Sequence, residues 1–564
     1  MSEVGVLARV IHTDQASGRF LVLVTEDQKL AYSHWRPFQL ANFPAVRIGQ
    51  WFYVRLVLDK RDGKTLVVSE VVGNCPSRFS EGGSADATGA AVRPSESLTV
   101  GQFLEQVATE DPVTVVSNAV FSSCEIEDLI LSGSVVFANC EVTGDFRWLR
   151  TRCIGSLWFF NCRFHQHFSL KAAHLDGSAL FFGCDFSGAG GISFRGVRAC
   201  SVFIEFGTRG SDDMLWLNEM SLTGCLALNG SFNAPVQLLA RQDEFPVNDS
   251  PSLGNVYIGR QSYKAERLTR NSFDSGIQIH GYNVRGNLEV HGSQLASLTF
   301  QNTTSANLIV RGCELTQDLK LENIGVVNMN DGISITNTII SRNLRMTGQY
   351  LRGPCDLSGT SVGQAWIMEL QHPELGTPKV TMERFHAEQA WFEPVSLVYG
   401  DKPRRHLARP RAFGVLADEH RQNIDPETRK SLAEAYTRFK NWMGDSGHLR
   451  EEDCAFFHMR HYKEERLVTR LVLGGMFGWG LRFRNILTSA ILLVTLFAIA
   501  YGLSGFAPAE ALMLSVQSFI SSFFGQWPET LATAPLAILV TLESAVGVLF
   551  VTVLVGAYIR KLLR

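Results

Sequence analysis

The residues of this chain whose types and spacing could do chemistry concentrate in an apolar stretch close to residue 564. Ala511–Ile520 (ALMLSVQSFI) is apolar and compatible with a helix but too short to cross a bilayer. It runs into Ser521-Ser522-Phe523-Phe524-Gly525 and then the Trp527-Pro528 breaker. A short helix that dips into a membrane and returns as extended backbone is tolerated only where it is buried or lines water. There its carbonyls can replace the hydration shell of an ion. The same residues also fit an interfacial segment between two anchor helices. Glu543 stands alone as the charge in the run Pro535–Ile559, and an ionisable side chain at such depth faces a cavity or a partner. Glu510 and Glu529 flank the short helix. They would favour cations at an outer mouth, or they are solvated loop charges. Gly547 and Gly556 read as hinge points or as sites of close helix packing.

Three other constellations carry weaker signals. Cys140, Cys162 and Cys184 recur at intervals of 22 residues, a ladder that suits a soft metal or, far more commonly, a column of small buried residues. His165-Gln166-His167 places two imidazoles on one face of a strand, either as ligands or as surface residues. Near the N-terminus, Phe20, Tyr32, His34, Trp35, Lys60 and Arg61 could form a basic and aromatic face for single-stranded nucleic acid. The favoured reading there is a structural or protein-docking module, because Leu21-Val22-Leu23 occupies the strand that would carry the binding face. There is no GxSxG, Walker loop or HExxH motif. The chain is therefore not expected to be an enzyme or to hold a cofactor, monovalent cations entering only as permeant ions.

The elements that must position these residues are legible as runs. Ile486–Phe506 is 21 residues without a charge, and Pro535–Ile559 is a second apolar run of 25, each long enough to span as a helix. Arg470, Arg482 and Arg484 precede the first run; Arg560, Lys561 and Arg564 follow the second, with no Lys or Arg between the clusters. The positive-inside rule puts both ends in the cytoplasm and the connecting loop outside. The start, MSEVGVLARVIHTDQ, has no basic region followed by an apolar core, so a cytoplasmic soluble part is expected. The 11 cysteines are accordingly read as reduced. A net charge of -3 gives no case for bulk nucleic-acid binding.

Upstream of the spans the texture changes four times. Residues 1–76 carry short alternating runs broken by turn signals, as in a small OB-like β-barrel. Residues 77–98 are small and polar, a flexible linker. Residues 99–400 repeat: Ile277-Gln278-Ile279, Leu288-Glu289-Val290, Leu298-Thr299-Phe300, Leu308-Ile309-Val310 and Leu319-Lys320-Leu321 start 11, 10, 10 and 11 residues apart. Two such strand-and-turn units make one coil of 22 residues, and stacked coils bury a continuous interior. A right-handed parallel β-helix is expected. Residues 401–484 form a basic connector, helical over 415–470, with Asp425-Pro426-Glu427 as a start signal and Arg404, Arg405, Arg409 and Arg411 as a collar. Residues 485–564 complete a multidomain chain with an α-helical two-span module and a re-entrant loop at 508–530.

ALMLSVQSFISSFFG, followed by LESAVGVLFVTVLVGAYIRK, resembles the two-transmembrane pore domain of bacterial potassium-channel-like proteins, and more narrowly those carrying a pentapeptide-repeat β-helix ahead of the pore. Tyr436–Arg466 and Phe477-Gly478-Trp479-Gly480-Leu481-Arg482 are similar to the connector and pre-membrane turn of that family. The resemblance implies a homotetramer in the bacterial inner membrane, governed by an unidentified cytoplasmic ligand or protein. It also implies a bracing role for Glu543. Aligned on Gln517 and Ser518, the family's Thr-Thr-x-Gly-Tyr-Gly-Asp falls on Ser521, Ser522, Phe523, Phe524, Gly525 and Gln526 with a residue to spare. Phenylalanine replaces the first glycine and glutamine the aspartate. The departure implies a pore without potassium selectivity, or a plugged one.

Overall fold

The 22-residue interval builds the body of the molecule. The computed structural model describes residues 6–14, 19–24, 30–33, 51–58, 66–74, 96–107, 113–186, 190–206, 214–240, 251–259, 271–326, 332–348, 354–369, 379–393, 416, 424–524 and 534–562. The chain divides into two compact units, residues 1–378 with 384–387, and residues 379–383 with 388–564.

The first unit holds a right-handed parallel β-solenoid of about ten coils. One coil runs Ser134–Ala138, Glu141–Val142, Phe146–Leu149 and Arg152–Cys153 before Leu157–Phe160 opens the next. Two long sides thus alternate with two short ones. Each strand pairs in parallel with its counterpart one coil on. One interior column reads Val135, Leu157, Ala179, Val202, Leu226, Val256, Leu288, Leu308, Ile333 and Cys355. The facing side carries Phe146, Phe168, Ile192, Leu215, Val236, Ile277, Leu298, Leu319, Leu344 and Trp366. The 10- and 11-residue steps of the sequence are therefore half-coils, alternate triplets lying on opposite sides. Parallel stacking puts like over like at the strand spacing of about 4.8 Å. The Phe137–Phe159, Phe159–Phe181 and Phe164–Phe186 rings stack at 5.0, 4.8 and 4.9 Å.

Corners need a left-handed residue, and asparagine adopts that conformation most readily after glycine. Asn118, Asn139 and Asn161 have φ of 54°, 55° and 52°. The Asn139 amide donates to Asn118 Oδ1 at 3.2 Å, so the corner also forms its own polar ladder. Just past it, an inward thiol or hydroxyl turns back onto backbone carbonyls. Cys140 Sγ reaches Val116 O at 3.4 Å and Cys162 Sγ reaches Phe160 O at 3.4 Å. Cys184, Cys313, Thr338 and Thr360 do the same farther along.

Two features were not anticipated. Helix α1 (Val100–Val107) lays Phe103 against Phe121, Phe137 and Trp148, with Phe103 fully buried. Helix α1 thus covers the interior at that end of the solenoid. Second, the outward positions Val136, Trp158, Leu180, Phe203, Ala227 and Tyr257 form one buried apolar cluster. The outer face of this side is an interior surface as far as Tyr257; beyond it the column reads Glu289, Ile309 and Ser334.

N-terminal to the solenoid, strands Val6–Asp14, Arg19–Val24, Leu30–Ser33, Trp51–Leu58 and Leu66–Asn74 are described as backbone. Of the residues proposed for a ligand face there, Phe20 and Tyr32 fall in strands, and His34, Trp35, Lys60 and Arg61 lie outside the described residues. So do the linker through residue 95 and the collar Arg404, Arg405, Arg409 and Arg411.

In the second unit the connector is a helical hairpin where a continuous helical run was expected. Helix α2 (Pro426–Asp445) starts at Asp425, whose carboxylate accepts from Thr428 N at 2.6 Å, with Pro426 in the first turn. The run breaks at Gly447, φ 74°, before α3 (Leu449–Lys463). A left-handed residue ends a helix, and glycine adopts that conformation without strain. Arg429 then closes the hairpin. Its Nε donates to Tyr462 O at 3.0 Å and its Nη2 to Glu464 O, capping the last carbonyls of α3 with a cation. Beyond a single turn, α4 (Leu467–Thr469), the backbone winds as a π-helix over Arg470–Met476. It turns sharply at Gly478, Trp479 and Gly480, all at positive φ. Three apolar helices complete the unit: α5 (Phe483–Leu503), α6 (Pro508–Phe524) and α7 (Ala534–Leu562).

Candidate functional site

The two long apolar helices, α5 and α7, have the length and composition to cross a membrane, with mean hydropathy of 2.3 and 2.4 over their best windows. Along these two helices Ile491, Leu492, Leu496, Ile499, Ile538, Leu542 and Leu549 are exposed. Helix α6, at 17 residues, is shorter than its neighbours of 21 and 29.

What holds the three together is a polar node inside an apolar bundle. Glu543 of α7 is fully buried. Its Oε2 accepts from the Tyr501 hydroxyl of α5 at 2.6 Å, and its Oε1 is hydrogen-bonded to Ser515 of α6. Ser515 Oγ also lies 2.9 Å from Val494 O of α5. Three residues later on α6, Ser518 O accepts from Ser544 Oγ at 2.9 Å. In a medium without water each of these groups must find its partner within the protein. The node therefore fixes the rotation of α6 against both long helices. Below it Gly547 permits the closest approach, since a Cβ there would stand 2.2 Å from Phe519 O. Gly556 has nothing within 4 Å and makes no such contact. Phe519 and Phe477 both pack on Phe550, at 5.9 and 4.6 Å.

The residues proposed for the pore distribute as follows. Ser518 is buried at the α6–α7 contact, and Gln517 is exposed on the opposite face of α6. Glu510 is exposed in the first turn of α6. Ser521, Ser522, Phe523 and Phe524 are helical, the last turn of α6, whereas extended backbone was expected after Ile520. The physical reason is that nothing in Ser521–Phe524 stops a helix; the first breakers are Gly525 and Pro528. Gly525, Gln526 and Glu529 lie outside the described residues. Tyr501, Ser515 and Ser544 were not singled out from sequence. Their signal is that of Glu543 in weaker form, a hydrogen-bonding group within an apolar run that must have a partner.

The other constellations resolve differently. The Cys140, Cys162 and Cys184 thiols are interior hydrogen-bond donors, and no group of three or more His, Cys, Asp or Glu able to hold a metal occurs among the described residues. Burial pushes the Cys124 thiol up to about 12 and those of Cys153 and Cys313 to about 11. The neighbouring Cys162 thiol, and then burial, raise Cys140 as well. These are inert thiols, not nucleophiles. His165 Nε2 lies 2.7 Å from Glu141 Oε1, while the His167 backbone N–H donates to Asp145 Oδ1 at 3.2 Å. The two histidines are engaged separately.

No protein-family model, curated protein or solved structure matches this chain. The β-solenoid and the pair of membrane-length helices therefore stand on the geometry alone.

Proposed function

We propose that the chain is one subunit of a cation-conducting pore in a bacterial inner membrane, anchored or regulated by cytoplasmic β-domains. The observation that carries this reading is the node of Glu543, Tyr501 and Ser515, which fixes a short helix between two membrane-length ones. A simple two-helix anchor has no use for a third helix braced by a buried carboxylate, whose burial is costly. A re-entrant pore helix needs such bracing, because its backbone must be held at membrane depth. Two spans cannot enclose a pore alone, so a homotetramer is part of the reading. The N-terminal strands are read as an OB-like barrel that docks a cytoplasmic ligand or protein. Potassium selectivity is not part of the proposal, since phenylalanine stands where the filter glycine would be.

A second reading is a membrane-anchored β-solenoid scaffold with a degenerate pore. Helical backbone through Phe524 favours it, because a filter needs its carbonyls turned away from a helix axis. Single-channel recording of the full-length protein in planar bilayers separates the two, with a Phe523→Gly, Gln526→Asp variant alongside. Discrete conductance in the parent is the expected result. Silence in the parent with current in the variant assigns the scaffold reading, and silence in both overturns the pore.

A further inference from the structure

An apolar surface just ahead of the first span serves neither the solenoid nor the node. Leu467, Val468, Leu471, Val472 and Leu473 are all exposed, the first three at 64%, 70% and 61%. Five large aliphatic side chains within seven residues make a contiguous patch that water alone would not favour. Arginines accompany it: Arg466 just before, Arg470 within, and Arg482 and Arg484 after, with Arg466 and Arg484 exposed. Arg470 is half-buried, and its Nε has no hydrogen-bond partner among the described residues. The acidic neighbours, Glu464 and Glu465, lie only on the upstream side.

The stretch is fixed to the base of the span bundle. Asn485 Nδ2 of α5 donates to Gly475 O at 3.3 Å, and Ser489 Oγ donates to Met476 O at 3.2 Å. Phe477 then inserts against Phe550 of α7. Its place is therefore set by the ends of the spans, at the arginine-rich side. An apolar face flanked by basic residues at that level suits the boundary between headgroups and acyl chains. Each arginine near an anionic surface favours it by about five-fold. Arg466, Arg470 and Arg484 match phosphate groups, and the leucines match acyl chains. A protein partner would have to supply both at the edge of a bilayer.

We propose that Leu467–Met476 is an interfacial anchor, its aliphatic face immersed in an anionic phospholipid monolayer and Arg466, Arg470 and Arg484 on the headgroups. The proposal rests on the membrane reading of α5 and α7, and its test keeps the two apart. The full-length protein is reconstituted into phosphatidylcholine vesicles with and without phosphatidylglycerol. A nitroxide is placed at Leu471 (Leu471→Cys) or, as a reference within α5, at Leu492 (Leu492→Cys), and the unsubstituted protein supplies the native-thiol background. Collision with oxygen and with a water-soluble nickel chelate reads depth. Deep immersion at Leu492 and shallow immersion at Leu471 are expected. The Leu471 label should move toward water when phosphatidylglycerol is omitted or in Arg466→Gln, Arg470→Gln. A Leu471 label in water with Leu492 immersed overturns the anchor alone. A Leu492 label in water overturns the membrane reading. Immersion indifferent to both phosphatidylglycerol and the arginines, or protection of Leu471 from both colliders, as a protein contact would give, overturns the anionic-lipid assignment.

Discussion

Single side chains in this protein act mainly by returning a polar group to the backbone or to a partner helix. The corner thiols are the clearest case. Cys162 Sγ reaches Phe137 O and Phe160 O from a position where serine or threonine serves elsewhere in the solenoid. Cys162→Ser should therefore fold with near-parental stability, whereas Cys162→Ala should lose about 1 kcal/mol, measured by denaturant unfolding. The thiols also predict an alkaline limit. Burial lifts Cys153 and Cys313 above the ordinary value of 9.0, to about 11. The contribution is thus intact below pH 9 and is lost as pH rises through the folded value. Thermal unfolding should show a falling midpoint between about pH 9 and 11, with a smaller fall in Cys153→Ser. Glu543 follows the same logic at higher stakes. Ser515 has one hydroxyl proton for two acceptors, Val494 O and Glu543. An amide in place of the carboxyl can donate to Ser515 and still accept from Tyr501. Glu543→Gln should keep the bundle intact, and Glu543→Ala should take its acceptor from the Tyr501 hydroxyl at about 1–3 kcal/mol, while Ser515 keeps Val494 O. Detergent-solubilised thermal stability of the two variants checks the order; equal loss in both would mean the node does not act through hydrogen bonds.

Elements differ in how far they could be read in advance. The solenoid was legible because its interior residues are large, apolar and spaced by the coil itself; the asparagines at its left-handed corners were not read. The spans were legible from length and the placement of arginines. Four other things were not. The hairpin break at Gly447 lies in a polar run with no periodicity to interrupt. Helix α6 reaches Phe524 since no residue before Gly525 opposes it, which the expectation of a filter had overridden. The contacts of Glu543 with Tyr501 and Ser515 join residues 42 and 28 positions apart, pairings that a single sequence does not encode locally. Helix α1 was likewise unforeseen, being only 8 residues long. Its role predicts a distinctive phenotype. Phe103 is buried against Phe121, Phe137 and Trp148, so Phe103→Ala should cost about 3–5 kcal/mol in local packing. It should also expose the interior of the terminal coil. Concentration-dependent oligomers by analytical ultracentrifugation would report the exposed interior, and an unchanged sedimentation profile would mean that α1 is not what protects it.

For the whole molecule, charge placement predicts on which side of a membrane its ends lie. Basic residues stand before and at the start of α5 and at and beyond the end of α7 and are missing from the stretch between, so a spanning hairpin should retain both ends on the cytoplasmic side. The β-solenoid would then stand in a reducing compartment. That agrees with a chain whose ten described cysteines are all free and whose thiols serve as hydrogen-bond donors rather than disulfide partners. The orientation can be read on intact cells. Ser504, exposed at the end of α5, should as Ser504→Cys react with a membrane-impermeant maleimide added outside. Lys561→Cys, beyond the second run, should react only after permeabilisation. The reverse pattern would invert the protein and place the solenoid outside, where its thiols would be open to oxidation. Protection of both sites in intact cells would mean that the hairpin enters from the cytoplasm without crossing. In that case Ser504 and α6 never meet the outer side, and a conducting path through this bundle would be impossible.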